Sequence, residues 1–427
     1  MWSLKLSATG LMRFSRQVIT RSRSIPKWKF LAGVHGANGL GLSLSGNNLN
    51  NQIIGTSGGD SLIGGLGNDT MVGGLGNDVY RVEEIGDVVV ENANGGNDTI
   101  LSTVSFTLME GLEVETLEAA SRWGSQSPTG GTFLMPFPGP NGTTVWLPVP
   151  VPPPLPGAPG LMAVPIALTG NSFANSILGT EAADTLDGGA GVDRLVGYGG
   201  NDFYYVDNAL DTVIEASNGG RDIIFTTSSF TLSADSEVEV LAHALNSPHE
   251  PLYLAGNELA NQVLGGSGGD GLYGFGGHDT LYGFSGQDLV VGGLGQDYLF
   301  GGDGHDTLIG GNGADWLIGG AGADVFKFTG AGDSVVLARD VITDFETGVD
   351  KLDFTGFTTA FGSPISGPFT FGTLAPGSGP RIEIGTDISN GFSRILADAD
   401  GDGIADFEVL VATANAAALP VVGDFII

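Results

Sequence analysis

Residues 301–326 read GGDGHDTLIGGNGADWLIGGAGADVF, one phrase repeated every nine residues. From Gly265 to Lys327 seven such nonapeptides follow one another without a gap. Three more fill 55–81 and three fill 179–205. All 13 carry Asp at their sixth position and an apolar residue at their eighth. A degenerate repeat with Asn at position six precedes each block, at 46–54, 170–178 and 256–264. A period this strict constrains the fold more than any other feature of the chain. The glycine-rich half can turn tightly and expose backbone carbonyls, because glycine accepts positive φ at little steric cost. The other half suits a very short strand with one side chain pointing inward. Two units make one 18-residue turn of a coil, and stacked turns make two parallel sheets around a thin aliphatic core. The expected fold is therefore all-β: parallel β-roll blocks, each a cation-filled solenoid, separated by small β-rich spacers.

Such a core is too thin to hold the coil alone. Hard cations fit the turns, since Ca²⁺ takes about six to eight oxygen ligands from carboxylates and carbonyls. Asp270, Asp288, Asp306 and Asp324 stack along one side of the third block, and Asp279, Asp297 and Asp315 along the other. Each adjacent pair is expected to bracket one ion, giving five sites in this block. The shorter blocks give one all-Asp pair each, Asp60 with Asp78 and Asp184 with Asp202. Asn51 with Asp69, Asn175 with Asp193 and Asn261 with Asp279 are expected to be weaker sites.

Charge points the same way. The formal net charge is −32, yet residues 1–30 hold seven Lys or Arg and no acid. The remainder is thus still more acidic, and its self-repulsion opposes a compact state unless cations neutralise it. Nucleic acid is excluded as a partner, because phosphate binding needs clustered positive charge. There is no cysteine, hence no disulfide and no thiolate metal site. No apolar run approaches the roughly 20 residues of a transmembrane segment. The basic start lacks an apolar core and a cleavage site, so it makes a poor secretory signal. Residues 1–45 are expected to be a basic, disordered arm or to follow a misplaced start. An amphipathic segment through Leu4, Leu11 and Val18 that touches a membrane is the alternative.

The nonapeptides resemble the G-G-x-G-x-D-x-U-x repeats of RTX (hemolysin-type) proteins. The resemblance implies calcium-filled parallel β-rolls, with Ca²⁺ as the cofactor in several copies.

The first two blocks lie inside a larger duplication. Shifted by 124 residues, 46–117 overlays itself without gaps: VVVENANGGNDTI (88–100) falls on TVIEASNGGRDII (212–224), and EVETL (113–117) on EVEVL (237–241). The organisation expected is an arm (1–45), block 1 (46–81), a β spacer (82–120), a Pro-rich insert (121–169), block 2 (170–205), a spacer (206–255), block 3 (256–327) and a C-terminal region (328–427). The insert is about 38 residues of surplus over the second copy, and its segment 136–160 holds ten prolines. Proline favours extended geometry and excludes a central strand. The insert is expected to be an exposed spacer, or a contact for a proline-binding partner anchored by Trp146.

FKFTGAGDSVVLARDVITDFETGVDKLDFTGF (326–357) resembles the segment that closes the roll in serralysin-type secreted proteins. Asp340, Asp344, Phe345, Gly348, Asp350, Lys351 and Asp353 carry that likeness, which implies a cap on the exposed end. Asp344 and Asp350 are either ligands of a further ion or surface acids. In DADGDGIADFEV (398–409), Asp398, Asp400 and Asp402 match an EF-hand loop, but Val409 stands where Glu is needed. A looser calcium loop and a solvated acidic turn remain the two readings. The ending VVGDFII is similar to the uncleaved C-terminal signal of type I secretion substrates. That likeness implies a bacterial chain exported unfolded by type I secretion machinery, folding where calcium is plentiful. Its further partners would be a cell surface, a matrix or other copies of itself.

No catalytic motif stands out. His249–Glu250 is followed by Tyr253, so H-E-x-x-H is missing. GTSGG (55–59) and GGSGG (265–269) match a nucleophile elbow only formally, since both lie within repeats. His278 and His305 occupy the variable fifth position and are expected to face solvent. The sequence reads as a secreted calcium-binding interaction or structural protein rather than an enzyme. The alternative is the non-catalytic part of a serralysin-like protease, lipase or toxin relative.

Overall fold

The computed structural model describes residues 30–33, 41–120, 164–244, 250–335, 337–358, 369–377, 379–387, 392–413 and 420–427, with backbone alone at 12–13, 132–138 and 144–150. The expected arm up to residue 29, the Pro-rich contact around Trp146 and the Leu4–Val18 face lie outside the described residues, apart from those backbone segments. The described chain is all-β and falls into two units, Met1–Gly220 and Arg221–Ile427.

In the first unit, Phe30–Ala32, Gln52–Ile54, Thr70–Val72 and Val88–Val90 form one parallel ladder. A second runs Ser43–Ser45, Ser61–Ile63, Val79–Val82, Thr99–Ser102, Thr116–Ala119, Ser176–Leu178, Arg194–Tyr198 and Thr212–Glu215. Within the blocks the register advances 18 residues per turn, pairing Ser61 with Val79 and Gln52 with Thr70. The β-roll expected from the spacing is therefore present. The β-rich spacers continue it as further turns of the same coil: Val79 pairs with Thr99, and Thr99 with Thr116.

Two expectations shift. The roll does not begin at residue 46, because Phe30–Ala32 and Ser43–Ser45 already supply rungs. The physical reason is that each repeat Asp binds the preceding turn, so the first repeat needs a turn before it: the Leu42 N–H donates to Asp60 Oδ1 (2.6 Å). The insert, in turn, leaves and re-enters the coil at adjacent rungs. Thr116–Glu118 pair directly with Ser176–Leu178, so about 38 surplus residues are accommodated without breaking the ladder. Thr132–Pro138 and Thr144–Pro150 pair antiparallel, and a two-stranded ribbon has only edge strands, where proline is tolerated.

The second unit repeats the architecture. One ladder runs Ile223–Thr226, Val240–His243, Gln262–Leu264, Thr280–Gly286, Tyr298–Gly304, Trp316–Gly322 and Asp340–Phe345. The other runs from Phe230–Thr231 through Leu289–Gly295 and Val325–Lys327 to Lys351–Asp353 and Phe425–Ile426. The region after the repeats thus adds rungs to the roll. It then leaves it as an antiparallel sheet of Arg381–Asp387, Phe392–Asp398 and Phe407–Thr413. Phe328, Phe354, Phe357, Phe369 and Phe407 pack there ring against ring, a wide core that the repeats lack.

Every eighth-position residue, from Leu62 to Phe326, is fully buried. These side chains are the core of the coil, one from each repeat. Leu299→Ala is expected to cost the calcium-loaded protein about 2–5 kcal/mol, because a solenoid turn cannot collapse around the cavity. Leu294→Ala, at a half-exposed turn residue, is expected to stay within about 0.5 kcal/mol. Denaturant unfolding followed by circular dichroism measures both; equal losses would show that the core is not the eighth-position stack.

Candidate metal sites

The local sequence explains where each Asp goes. It ends a glycine turn and starts a strand, so its side chain lies over the end of the coil's flattened section rather than in the apolar core. There it does two things. Its Oδ1 accepts the backbone N–H one turn earlier, and its Oδ2 points into the turn. In the third block, Asp270, Asp279, Asp288, Asp297 and Asp306 donate their N–H to the Oδ1 of Asp288, Asp297, Asp306, Asp315 and Asp324, at 2.7–2.9 Å. The column continues past the repeats, with the Asp315 N–H on Asp340 Oδ1 (2.9 Å) and the Asp324 N–H on Asp350 Oδ1 (3.0 Å). The first unit does the same: Asp60 donates to Asp78, Asn51 to Asp69, Asp184 to Asp202 and Asn175 to Asp193. The two Asp columns expected 18 residues apart are thus formed.

Three features of this chain suit a hard cation. The Oδ2 atoms of Asp69, Asp78, Asp193, Asp279, Asp288, Asp297, Asp306, Asp315 and Asp324 are buried and have no hydrogen-bond partner among the described residues. A buried carboxylate oxygen without a partner is costly unless a counter-charge meets it. Second, carbonyls converge on the same point. A Cβ on Gly292 would sit 2.5 Å from Asp297 Oδ2 and 2.6 Å from the Gly310 carbonyl oxygen; on Gly301 it would sit 2.5 Å from both Asp306 Oδ2 and the Gly319 oxygen. The first glycine of these repeats therefore keeps open a space beside two oxygens that a Cβ would fill. Third, basic side chains meet acids elsewhere: Lys327 with Asp353, and Arg339 and Arg394 with buried Glu408.

Burial, and then the carboxylates of neighbouring turns, push these acids up. Asp279, Asp288 and Asp315 rise to about 7, Asp193 to about 7, and Asp69 and Asp324 to about 6. Asp340, fully buried beside Asp315, is raised well above its usual range. Asp60, Asp184, Asp297 and Asp306 are also raised, chiefly by burial.

Not every expected ligand has the same geometry. Asp60, Asp184 and Asp270, which open their blocks, turn Oδ2 onto the N–H of Thr56, Thr180 and Gly266. The weaker sites expected at Asn51, Asn175 and Asn261 are built differently. Their Oδ1 accepts the N–H of Asn47, Asn171 and Asn257, and the Asn175 and Asn261 amides donate to Val114 and Val238 carbonyls. An amide that donates there supplies the positive end itself, so Asn175 and Asn261 close a column without a charge. Asp344 accepts the N–H of Gly319 and Gly320, and Asp350 Oδ2 that of Glu346, so both carboxylates of the expected further ion are held by backbone N–H groups. Asp340, with an unpartnered buried Oδ2, is expected from the sequence only as part of the closing segment; its 25-residue step from Asp315 hides its place in the column.

Asp398, Asp400 and Asp402 do come together. However, Asp398 accepts the N–H of Gly401 and Gly403, Asp400 that of Asp402, and Asp402 that of Ile404. The loop is held by its own backbone and follows the strand Phe392–Asp398 rather than a helix, so it differs from an EF-hand, while its three carboxylates lie close enough to share an ion. His278 and His305 are exposed, as expected, and also tie turns together, accepting the N–H of Gln296 and Ala323.

The family described as Peptidase M10 serralysin C terminal matches residues 254–426, and that of the RTX calcium-binding nonapeptide repeat (four copies) matches 45–80 and 169–204. The chain is 39% identical to Serralysin A of Dickeya chrysanthemi over 86 residues, 20% of this chain and 17% of that protein. It therefore spans about a sixth of the curated relative it matches. The solution structure of the AlgE6R3 subunit from the Azotobacter vinelandii mannuronan C5-epimerase is 29% identical, covering 40% of this chain and 78% of the other, at a TM-score of 0.24.

The raised acids predict a pH dependence of known sign. A carboxyl shifted from 3.8 to about 7 binds more protons folded than unfolded across that interval, so metal-free stability falls as pH rises through it. Cations must displace those protons, so calcium affinity moves the other way. In chelator the roll is expected to be more stable at about pH 5 than at pH 8, while the calcium midpoint rises as pH is lowered over the same interval. Circular dichroism at fixed pH values measures both; a midpoint independent of pH would show that the raised acids are not the ligands.

Proposed function

The chain is an RTX-type calcium-binding protein with a serralysin-like C-terminal region, and from that premise we propose that it is a secreted roll that folds on calcium outside the cell and serves there as a structural, surface or interaction element. The single observation that carries this reading is the column of buried aspartates whose second oxygen has no partner among the described residues. The proposed ligands are the Oδ2 atoms of Asp69, Asp78, Asp193, Asp279, Asp288, Asp297, Asp306, Asp315 and Asp324, with Asp202 as the counterpart of Asp78 and Asp340 extending the column. Glycine carbonyls such as those of Gly310 and Gly319 supply further oxygens. Asp60, Asp184 and Asp270 take the end positions.

Inside a cell, where free calcium is scarce, the like charges keep the columns apart. Outside, each ion replaces repulsion between turns with a shared bond. The C-terminal segment fits that order of events. Phe425–Ile426 pair with Leu352–Asp353, and buried Asp424 accepts the N–H of Gly348 and Val421. Once the cap forms, the terminus proposed as the secretion signal is part of the fold. Among the described residues no helix is long and apolar enough to cross a membrane.

A second reading has its own support. The match to the serralysin C terminal favours a non-catalytic portion of a larger secreted hydrolase or toxin relative. An open frame upstream that continues into a catalytic segment would select it.

A calcium titration of the full chain tests the first reading. A cooperative gain of β signal is expected at sub-millimolar to millimolar calcium and not with magnesium, which demands a tighter octahedral shell. Asp297→Asn is expected to raise the midpoint severalfold, because it removes one shared charge from two adjacent turns. A chain fully folded in chelator, with no response to calcium, would overturn the reading.

A further inference from the structure

The turn after the first block breaks the nonapeptide rule in a specific way. Val88–Val90 pair with Thr70–Val72, so Glu91 stands one turn beyond Gly73, where a repeat would place its first glycine. The turn that follows, Glu91 to Asp98, is two residues longer than a repeat turn, and Asn94 (φ 59°) and Gly96 (φ 155°) take the positive dihedrals. The register correspondingly steps by 20: the Asp78 N–H donates to Asp98 Oδ1 (2.8 Å). The enlarged turn makes room for a side chain in the cradle. A Cβ on Gly73 would meet Asp78 Oδ2, Glu91 Oε1 and the Tyr80 hydroxyl, so the three groups converge on one point.

From this juxtaposition of Asp78, Glu91 and Asp98 we infer a divalent-cation site of a second kind, which takes calcium more tightly than the repeat sites. It rests on the reading of the repeats as calcium-binding. One oxygen from each carboxylate lies within 4.8 Å of the others. Asp78 and Asp98 are each 1% exposed, and the Oδ2 of both is buried without a partner among the described residues. Those two unpartnered oxygens separate this cluster from a surface acidic patch, since one cation between them would satisfy both where they lie. Glu91 is oriented from both ends, by the Tyr80 hydroxyl on Oε1 and the Asn92 N–H on Oε2 (2.9 Å). A repeat site draws on the Asp of each turn and on carbonyls. This one adds a third carboxylate on a fixed arm, and calcium affinity rises with ligand charge and rigidity. An all-oxygen, carboxylate-rich set of this kind selects a hard cation over a soft one. The 124-residue duplication keeps the same residue types at the corresponding positions, Asp202, Glu215 and Asp222, and Tyr204 likewise donates to Glu215.

Calorimetric calcium titration of the full chain, with bound calcium counted after dialysis, tests this. Glu91→Gln removes the charge and keeps the shape. It is expected to lose one ion from the tightest class while the calcium-driven gain of β signal survives at a higher midpoint. Asp306→Asn, in the third block, is expected to weaken the later class and leave the tightest one unchanged. An unaltered tight class and ion count in Glu91→Gln would overturn the inference, even if Asp306→Asn weakens binding as expected. A wild-type chain that binds no calcium would overturn both readings together. If Glu91→Gln fails to fold at any calcium level, Glu91→Asp takes its place. Its shorter arm is expected to weaken the tightest class about tenfold, and an unchanged affinity there would also overturn the site.

Discussion

Everything in this molecule depends on one arrangement: an aspartate in each repeat, buried, with one oxygen tied to the turn before it and the other facing a cradle of carbonyls. The tie is directional and short, as between the Asp288 N–H and Asp306 Oδ1 (2.9 Å). It sets the register of the parallel ladders. The facing oxygen carries charge into a place where water cannot follow, so the same residue that aligns the turns also drives them apart. Cations bound in the cradles would resolve that conflict, and the proposed function makes the fold conditional on them.

The rest of the coil is shaped by this condition. A globular domain offsets conformational entropy with a wide core. Here each turn of two repeats offers only two fully buried eighth-position side chains, such as Leu299 and Leu308. The C-terminal region makes up part of the difference. Its cluster of Phe328, Phe354, Phe357, Phe369 and Phe407 is a conventional apolar core, and Arg339 and Arg394 neutralise buried Glu408 without an ion. A solenoid that ends on an apolar core of this kind has a place from which ordered turns can propagate.

The departures from the repeat are as informative as the repeat itself. Asn175 and Asn261 replace the sixth-position Asp where a column begins, and an amide that donates to a carbonyl needs no counter-ion. Glu91 replaces a first-position glycine and puts a carboxylate where other turns have only backbone. The Pro-rich insert enters and leaves at neighbouring rungs, so a long excursion costs the ladder nothing. Each change respects the alignment of turns and alters only the charge or the loop hung upon it.

The period of nine, Asp at six and an apolar residue at eight determined the roll, its 18-residue step and its oxygen-rich turns before any coordinates. Each of these follows from local spacing: glycine where the chain must bend, one inward side chain per short strand. What the sequence could not determine are contacts at other spacings. Asp98, Asp340 and Asp350 join the columns at steps of 20, 25 and 26 residues. Nor could it say that Asp344 and Asp398 spend their oxygens on backbone N–H groups. Glu91 and Asp98 did leave a trace, since both recur in the 124-residue duplication, but only the stacking of turns shows that they share a cradle. The physical reason is one of range. Turn geometry and strand direction are fixed by neighbours along the chain, whereas the partner of a carboxylate is fixed by whichever turn lies beside it.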